Sequence, residues 1–201
     1  VPVMQAIQIG RLLRSGTAGF VVGCRVNQLN EPHFGAMVRV PLAPDYQVFG
    51  LIYDIHIEDD GLVRQLITAQ DVPEEVLQDN RENRNVPVEI AVLALGYQQG
   101  EKVFHLLPPR PPLSLDAIYL CTPDEVVHFT GTGRFGYFRH ILRVMDKPIE
   151  ELLAAHLISA RDAHNAVGSR DWYQDALQEL IILMRDDYQQ LNRVLSAVND
   201  I

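Results

Sequence analysis

Basic side chains between residues 134 and 147 are the part of the sequence best suited to bind a charged partner. Arg134, Arg139, Arg143 and Lys147 lie within fourteen residues and are interleaved with aromatic side chains. If the segment 137–146 is helical, the last three lie on one face, because residues four apart on a helix are neighbours. This face could bind phosphate or an acidic peptide. The open alternative is that it is solvated or pairs with acidic groups of the same chain.

Arg110 is a further candidate for partner binding, because prolines at positions 108, 109, 111 and 112 flank it. Proline fixes its own φ and disfavours a helical residue before it. We therefore predict that the segment Leu107–Leu115 is extended and packs along the wall of the preceding domain. Arg110 then either holds this linker to that domain or faces a partner.

Three glycines form the pattern G-x-G-x-x-G at Gly131, Gly133 and Gly136. In a dinucleotide site this pattern lies within a βαβ unit, and an acidic residue follows about 20 residues later. Glu150 and Glu151 lie at about that distance, but on a predicted helix, and no second parallel strand follows. We interpret the pattern as a loop between two parts of the chain.

Patterns of catalytic or metal-binding residues are absent from the sequence. There is no G-x-x-x-x-G-K-[ST], and Lys102 and Lys147, the only lysines, do not follow such a glycine run. The sequence also lacks H-E-x-x-H and G-x-S-x-G, and its histidines are not spaced as metal ligands. We therefore predict that the protein is not an enzyme, does not hydrolyse ATP, and has no catalytic residues, no cofactor and no metal.

The composition is that of an ordinary globular protein. The 201 residues are 47% hydrophobic and carry a formal charge of −9. The acidic balance makes nucleic acid an unlikely partner, since non-specific binding to it relies on a basic surface. Cys24 and Cys121 both lie in apolar segments, so we expect buried free thiols and a cytoplasmic setting. No apolar run reaches the roughly 18 residues that would span a bilayer.

The first part of the chain alternates with period two, which is typical of β-strands. Between strands four and five, Pro73 followed by two glutamates predicts a short helix in an exposed insertion. No helix is long enough to cross between parallel strands, so we predict an α+β fold whose N-terminal domain, residues 1–115, is an antiparallel six-stranded β-barrel. The predicted strands are Met4–Leu13, Gly19–Val26, Ala36–Val40, Tyr46–Glu58, Val86–Tyr97 and Lys102–Leu107.

A helical period of 3.6 residues replaces the period of two in the C-terminal part. We predict a linker with a short helix over residues 116–147 and a helical hairpin over 148–201, with Gly168 ending its first helix. A heptad seam of apolar residues runs along the second helix of this hairpin. It packs either within the chain or against another subunit. The seam residues are Leu177, Ile181, Met184, Tyr188, Leu191, Leu195 and Val198.

Four segments together carry a resemblance to a known family. They read IGRLLRSGTAGFVVG, FGAMVRVPLAPDYQVFGLIYDI, VEIAVLALGY and LPPRPPLSLDAIYLCTPDEV. Their order, with FG-x-I-x-D-I at Phe49–Ile55, LGY at Leu95–Tyr97 and PPRPP at Pro108–Pro112, resembles the HAS barrel over roughly residues 5–140. This domain is shared by HerA-type ATPases and the ATP synthase catalytic subunits. The resemblance implies a barrel that serves ring assembly and partner docking, although here a helical hairpin stands where the P-loop ATPase would begin.

Two functions follow from these observations. We expect a non-catalytic HAS-barrel adaptor, which docks to itself as a homo-oligomer or to a larger protein complex such as an ATPase. The alternative is a nucleic-acid or nucleotide-binding module that uses the basic segment Gly131–Lys147.

Overall fold

The computed structural model describes residues 6–25, 29–57, 61–69, 71–82, 88–144 and 147–199. The described strands are β1 Gln8–Ser15, β2 Gly19–Cys24, β3 Met37–Ala43, β4 Tyr46–His56, β5 Val88–Gln99, β6 Lys102–Phe104 and β7 Ala117–Leu120. The described α-helices are α1 Leu62–Thr68, α2 Glu74–Glu82, α3 Pro123–Thr130, α4 Phe138–Ile141, α5 Ile149–Ala166, α6 Trp172–Leu183 and α7 Tyr188–Asn199. A 3-10 turn, Gly133–Phe135, precedes α4.

Six antiparallel strands close into a barrel, which confirms the predicted α+β fold with an N-terminal barrel and C-terminal helices. Around the ring, β1 pairs with β2, β2 with β5, β5 with β4, β4 with β3, β3 with β7, and β7 with β1. Because the ring is closed, each of these six strands has a hydrogen-bonded neighbour on both sides. Gly19 allows the close approach of β2 to β5, because a Cβ there would lie 2.5 Å from the Val92 carbonyl oxygen.

The identity of the sixth strand was predicted wrongly. The segment Lys102–Leu107 contributes only the three-residue β6, which pairs with β5 in a hairpin outside the ring. Instead, β7 closes the barrel between β1 and β3, beyond residue 115, where we predicted the barrel to end. The predicted strand ends at Met4, Val26, Glu58 and Val86 lie outside the described residues.

Two hydrophobic cores share the barrel wall. β4 contributes to both, because successive side chains of a strand point to opposite faces. Val48 and Ile52 join the core formed by barrel residues alone. Phe49 and Leu51 point the other way and join a second core with the C-terminal helices, including Phe129, so the barrel wall is covered on this side.

The proline-rich linker packs along β1, as we predicted, but it is not extended throughout. It bends at Pro109 and Arg110 and turns at Ser114 and Leu115, where Leu115 has a φ of +73°. The backbone N–H of Leu115 donates to the Leu12 carbonyl at 2.8 Å, and the Ser114 hydroxyl donates to the Leu13 carbonyl at 3.2 Å. The Ser15 hydroxyl donates to the Pro112 carbonyl. The linker therefore delivers the chain to β7 in register with β1.

Three helices, rather than a hairpin of two, follow residue 148. α5 begins and ends close to the predicted bounds, and Gly168 beyond it has a φ of +84°, which favours glycine. The second predicted helix is divided, because α6 ends at Leu183 and α7 begins at Tyr188. Among the described residues, no helix has the length and apolar character needed to cross a membrane.

The break between α6 and α7 divides the predicted seam. Met184, Leu191 and Val198 are buried in the second core, together with Leu180 of α6 and Val194 of α7. Leu177 and Leu195 are half-buried against the same core, whereas Ile181 and Tyr188 are exposed. Within α6 the buried face is formed by Trp172, Ala176 and Leu180, so Ile181 lies away from it even before the break.

Candidate functional site

Two members of the predicted basic face make contacts within the chain. Arg139 is half-buried, and its guanidinium donates to the carbonyl of His105. The Nζ of Lys147 lies 2.5 Å from Oδ2 of Asp54 on β4, and it lies over the ring of Tyr53. These contacts fit the alternative in which the basic segment pairs with its own chain. The predicted helix over 137–146 is limited to α4 in the described residues, and its predicted end, Asp146, lies outside them.

Two further candidates for partner binding, Arg110 and Arg134, are exposed and lie in different parts of the structure. Arg110 on the linker lies 5.8 Å from the ring centroid of Tyr46, a cation–π contact that holds the linker to the barrel. Arg134 has a left-handed backbone, with φ 45°, and lines a cavity of about 310 Å³ with Asp175 and Glu179 of α6. The structure therefore does not gather the predicted partner-binding residues into one site.

Arg143 lies at a larger cleft, which we call the barrel cleft. The cleft has a volume of about 600 Å³ and lies between the barrel and the segment after α4. Arg14, His140 and Arg143 supply its basic groups, and Ser15 and Tyr53 supply hydroxyls. The remaining lining is formed by Ala18, Gly19, Phe20, Val21, Val92, Leu93, Leu107 and Val144. Clefts of this size, largely apolar with a few polar groups, are the usual form of a small-molecule site.

Hydrogen bonds fix Arg14 and His140 in the barrel cleft, but not Arg143. Arg14 binds Glu89 with both of its terminal nitrogens, at 3.0 and 2.6 Å, in a bidentate pair that lowers the pKa of Glu89. Nε2 of His140 lies 3.1 Å from the carbonyl oxygen of His105, which can only accept, so this nitrogen carries a proton. Arg143 is exposed and forms no hydrogen bond or ion pair with any described residue.

Buried histidines join the barrel to the helices. His105 follows β6, its carbonyl accepts from both Arg139 and His140, and its ring Nε2 lies 3.0 Å from the carbonyl of Phe129. Burial lowers the pKa of His105, and that of His140 as well. A Cβ at Gly133 would lie 3.0 Å from the His105 ring, so the glycine-rich segment leaves room for this imidazole rather than forming a nucleotide loop.

Two further histidines of α5 are buried in the helical layer. Nε2 of His156 lies 2.9 Å from the hydroxyl of Tyr137, and burial lowers the pKa of His156 to about 4. Nε2 of His164 lies 2.8 Å from the hydroxyl of Thr130, and the His164 ring stacks on Trp172 with centroids 4.5 Å apart. Nδ1 of His156 and of His164 is buried and has no hydrogen-bond partner among the described residues.

An exposed apolar surface lies at the junction of α6 and α7. We call it the α6 surface, and it consists of Ile181, Ile182, Leu183 and Tyr188, which are 44%, 56%, 44% and 71% exposed. The opposite face of α6 is buried, so the last turn of this helix is apolar on every side. The seam prediction included Ile181 and Tyr188 but missed Ile182 and Leu183. The signal was present, because an amphipathic helix does not carry four apolar residues in a row, as Leu180–Leu183 does.

No family model matches the chain, and no curated protein matches it. Within the described residues, no three His, Cys, Asp or Glu side chains are grouped as metal ligands.

Proposed function

We propose that the protein is an assembly module of the HAS-barrel type, in which two copies associate through the α6 surface. The observation that carries the proposal is the exposure of Ile181, Ile182 and Leu183 on a helix whose other side is already buried. The sequence resemblance to a barrel that serves assembly supports the same function.

The physical reason is the cost of leaving this surface in water. Helices that are apolar all round are normally covered on all sides, and each large aliphatic side chain gains about 1.5–3 kcal/mol on full burial. Single exposed apolar residues are common on monomers, but the last turn of α6 carries three and the first residue of α7 is an exposed tyrosine. We infer that this concentration of apolar side chains marks an interface. Tyrosine is also enriched at the centre of interfaces.

A second copy fits this surface because its border carries both signs of charge. Arg185 and Asp186 follow the α6 surface directly, are exposed, and lie close enough for Arg185 Nε to approach Asp186 at 3.7 Å. In a two-fold arrangement the same patch faces itself, so each arginine can lie opposite the partner copy's acidic residue. The formal charge of −9 on each copy opposes association, so the apolar contact must supply most of the affinity.

Light scattering after size-exclusion chromatography tests this proposal. We expect the wild type to have a mass above the 22.7 kDa of one chain. Replacing Ile181 and Ile182 together by Lys should return it to one chain without unfolding it, because both side chains are exposed on the single chain. Ile67→Lys is the matched control, since Ile67 on α1 is 77% exposed and belongs to no described apolar cluster.

A wild type that is monomeric at about 100 μM would contradict the proposal, because that concentration corresponds to an affinity of only about −5.5 kcal/mol. An unchanged mass in the double variant would place the interface elsewhere. Polynucleotide binding, the alternative function, has less support because Arg139 and Lys147 already have partners in the chain. It would appear as binding that weakens steeply with added salt.

A further inference from the structure

We propose that the barrel cleft binds a small organic anion, specifically a carboxylate attached to an apolar chain or ring. Arg143 binds the carboxylate, and the apolar wall of the cleft holds the hydrocarbon part.

The charges of the cleft select an anion. The described lining contains two arginines, Arg14 and Arg143, and no carboxylate. His140 also lines the cleft, but burial lowers its pKa, so it adds no charge at neutral pH. The charge of Arg14 is compensated by its bidentate pair with Glu89 at the edge of the cleft. The guanidinium of Arg143 has no such partner among the described residues. Its planar donor fork matches the two oxygens of a carboxylate.

His140 lies on the wall of the same cleft but does not bind the anion. His140 is 8% exposed, and its Nε2 proton is used by the carbonyl of His105. Burial lowers the pKa of His140, so the ring is neutral at pH 7 and its other nitrogen, Nδ1, can accept a hydrogen bond but cannot donate one to a carboxylate. The binding of the anion is therefore assigned to Arg143.

The apolar wall requires that the anion has a hydrocarbon part. Val21 of β2, Leu93 of β5 and Leu107 of the linker line the cleft with side chains that are at least partly exposed. Phe20 and Val92 also border it, but they are 4% and 1% exposed and belong to the barrel core. A simple inorganic anion would leave this wall in contact with water and would gain nothing from it, whereas burial of apolar area contributes about 25 cal/mol per Å². A volume of about 600 Å³ accommodates a ligand much larger than an ion.

Titration calorimetry with three probes tests the inference. Octanoate carries both parts of the proposed ligand, acetate carries only the carboxylate, and octan-1-ol carries only the chain. We expect octanoate to bind the wild type at least about tenfold more tightly than either of the others, a difference that corresponds to about 1.4 kcal/mol.

Three variants assign the binding to the cleft. Arg143→Gln should weaken octanoate about tenfold or more and leave octanol unchanged, whereas Arg134→Gln, the same charge change outside the cleft, should affect neither. Leu107→Ala, at a residue 41% exposed, should weaken octanoate and octanol together. Ile182→Lys excludes the α6 surface as the binding place if octanoate still binds equally well.

Either of two results overturns the inference. One is octanoate binding weaker than about 1 mM to the wild type. The other is an equal loss of octanoate binding in Arg143→Gln and Arg134→Gln, which would mean that the anion responds only to net charge. Both outcomes are independent of the oligomeric state, so they are separate from the test of the proposed assembly function.

Discussion

Protonation of His156 should destabilise the protein at mildly acidic pH. The imidazole is 1% exposed, and its Nδ1 is buried without a hydrogen-bond partner among the described residues. Its other nitrogen contacts the hydroxyl of Tyr137, which stays neutral because burial raises its pKa well above the ordinary value. A charged imidazolium would therefore place a second N–H in an apolar core with nothing to accept it.

The pKa values give the size and the sign of this effect. The pKa of His156 is lowered by burial from 6.5 to about 4. Between these two values the unfolded chain binds the proton more tightly than the folded chain, so the free energy of unfolding falls as the pH falls. With about 1.4 kcal/mol for each unit of difference, the loss from pH 8 to pH 5 is roughly 2 kcal/mol, and it reaches roughly 3 kcal/mol below pH 4.

Urea unfolding between pH 8 and pH 5 measures this loss. In His156→Gln the side chain can still bind the hydroxyl of Tyr137 but cannot be protonated, so the decrease in unfolding free energy should be smaller than in the wild type by roughly 2 kcal/mol. His128→Gln is the control, because it makes the same substitution at a histidine whose side chain is exposed instead of buried. The contributions of other histidines remain in both variants. An identical pH dependence in His156→Gln and the wild type would refute the reasoning.

Further predictions concern packing, backbone and thiol chemistry. Met184→Ala and Leu191→Ala should each lower the free energy of unfolding by roughly 2 to 5 kcal/mol without changing the mass by light scattering, because both side chains are buried within one chain. Gly35→Ala should lower the melting temperature, since Gly35 has a φ of +82° and a Cβ there would lie 2.6 Å from the Cβ of Ala155. An unchanged melting temperature would contradict the backbone conformation described at residue 35. Burial raises the pKa of Cys24 to about 11, so peptide mass spectrometry should find it alkylated at pH 8 only after unfolding.

The alternation of apolar residues was enough to predict a barrel, but not which strand closes it. Ala117–Leu120 contains Ile118 and Tyr119, which favour a strand. It is short and follows a proline-rich linker, however, so the sequence does not show which strands it pairs with. Its place in the ring is set by hydrogen bonds from the linker to β1, which bring Ile118 opposite Gly10. Such long-range register depends on tertiary contacts that local sequence patterns do not contain.

The heptad spacing predicted correctly that a stripe of apolar residues would be buried, but not that the helix would break. Met184, Leu191 and Val198 are buried as expected. The sequence Arg185–Asp186–Asp187 contains no glycine or proline to mark a break, and the Asp187 carboxylate caps the next helix by accepting from the backbone N–H of Gln190 at 2.9 Å. Aspartate at a helix start was the available signal.

The carbonyl of His105 explains how the two layers of the protein act as one unit at the barrel cleft. This single acceptor receives hydrogen bonds from Arg139 and His140, and the His105 ring contacts the carbonyl of Phe129 at the end of α3. One wall of the cleft belongs to the barrel and the other to the segment that begins at His140. His105 thus holds that segment against the barrel. If the cleft binds the carboxylate proposed above, the ligand would contact both walls and would stabilise the docking of this segment on the barrel, because a molecule that binds only the folded arrangement raises its stability.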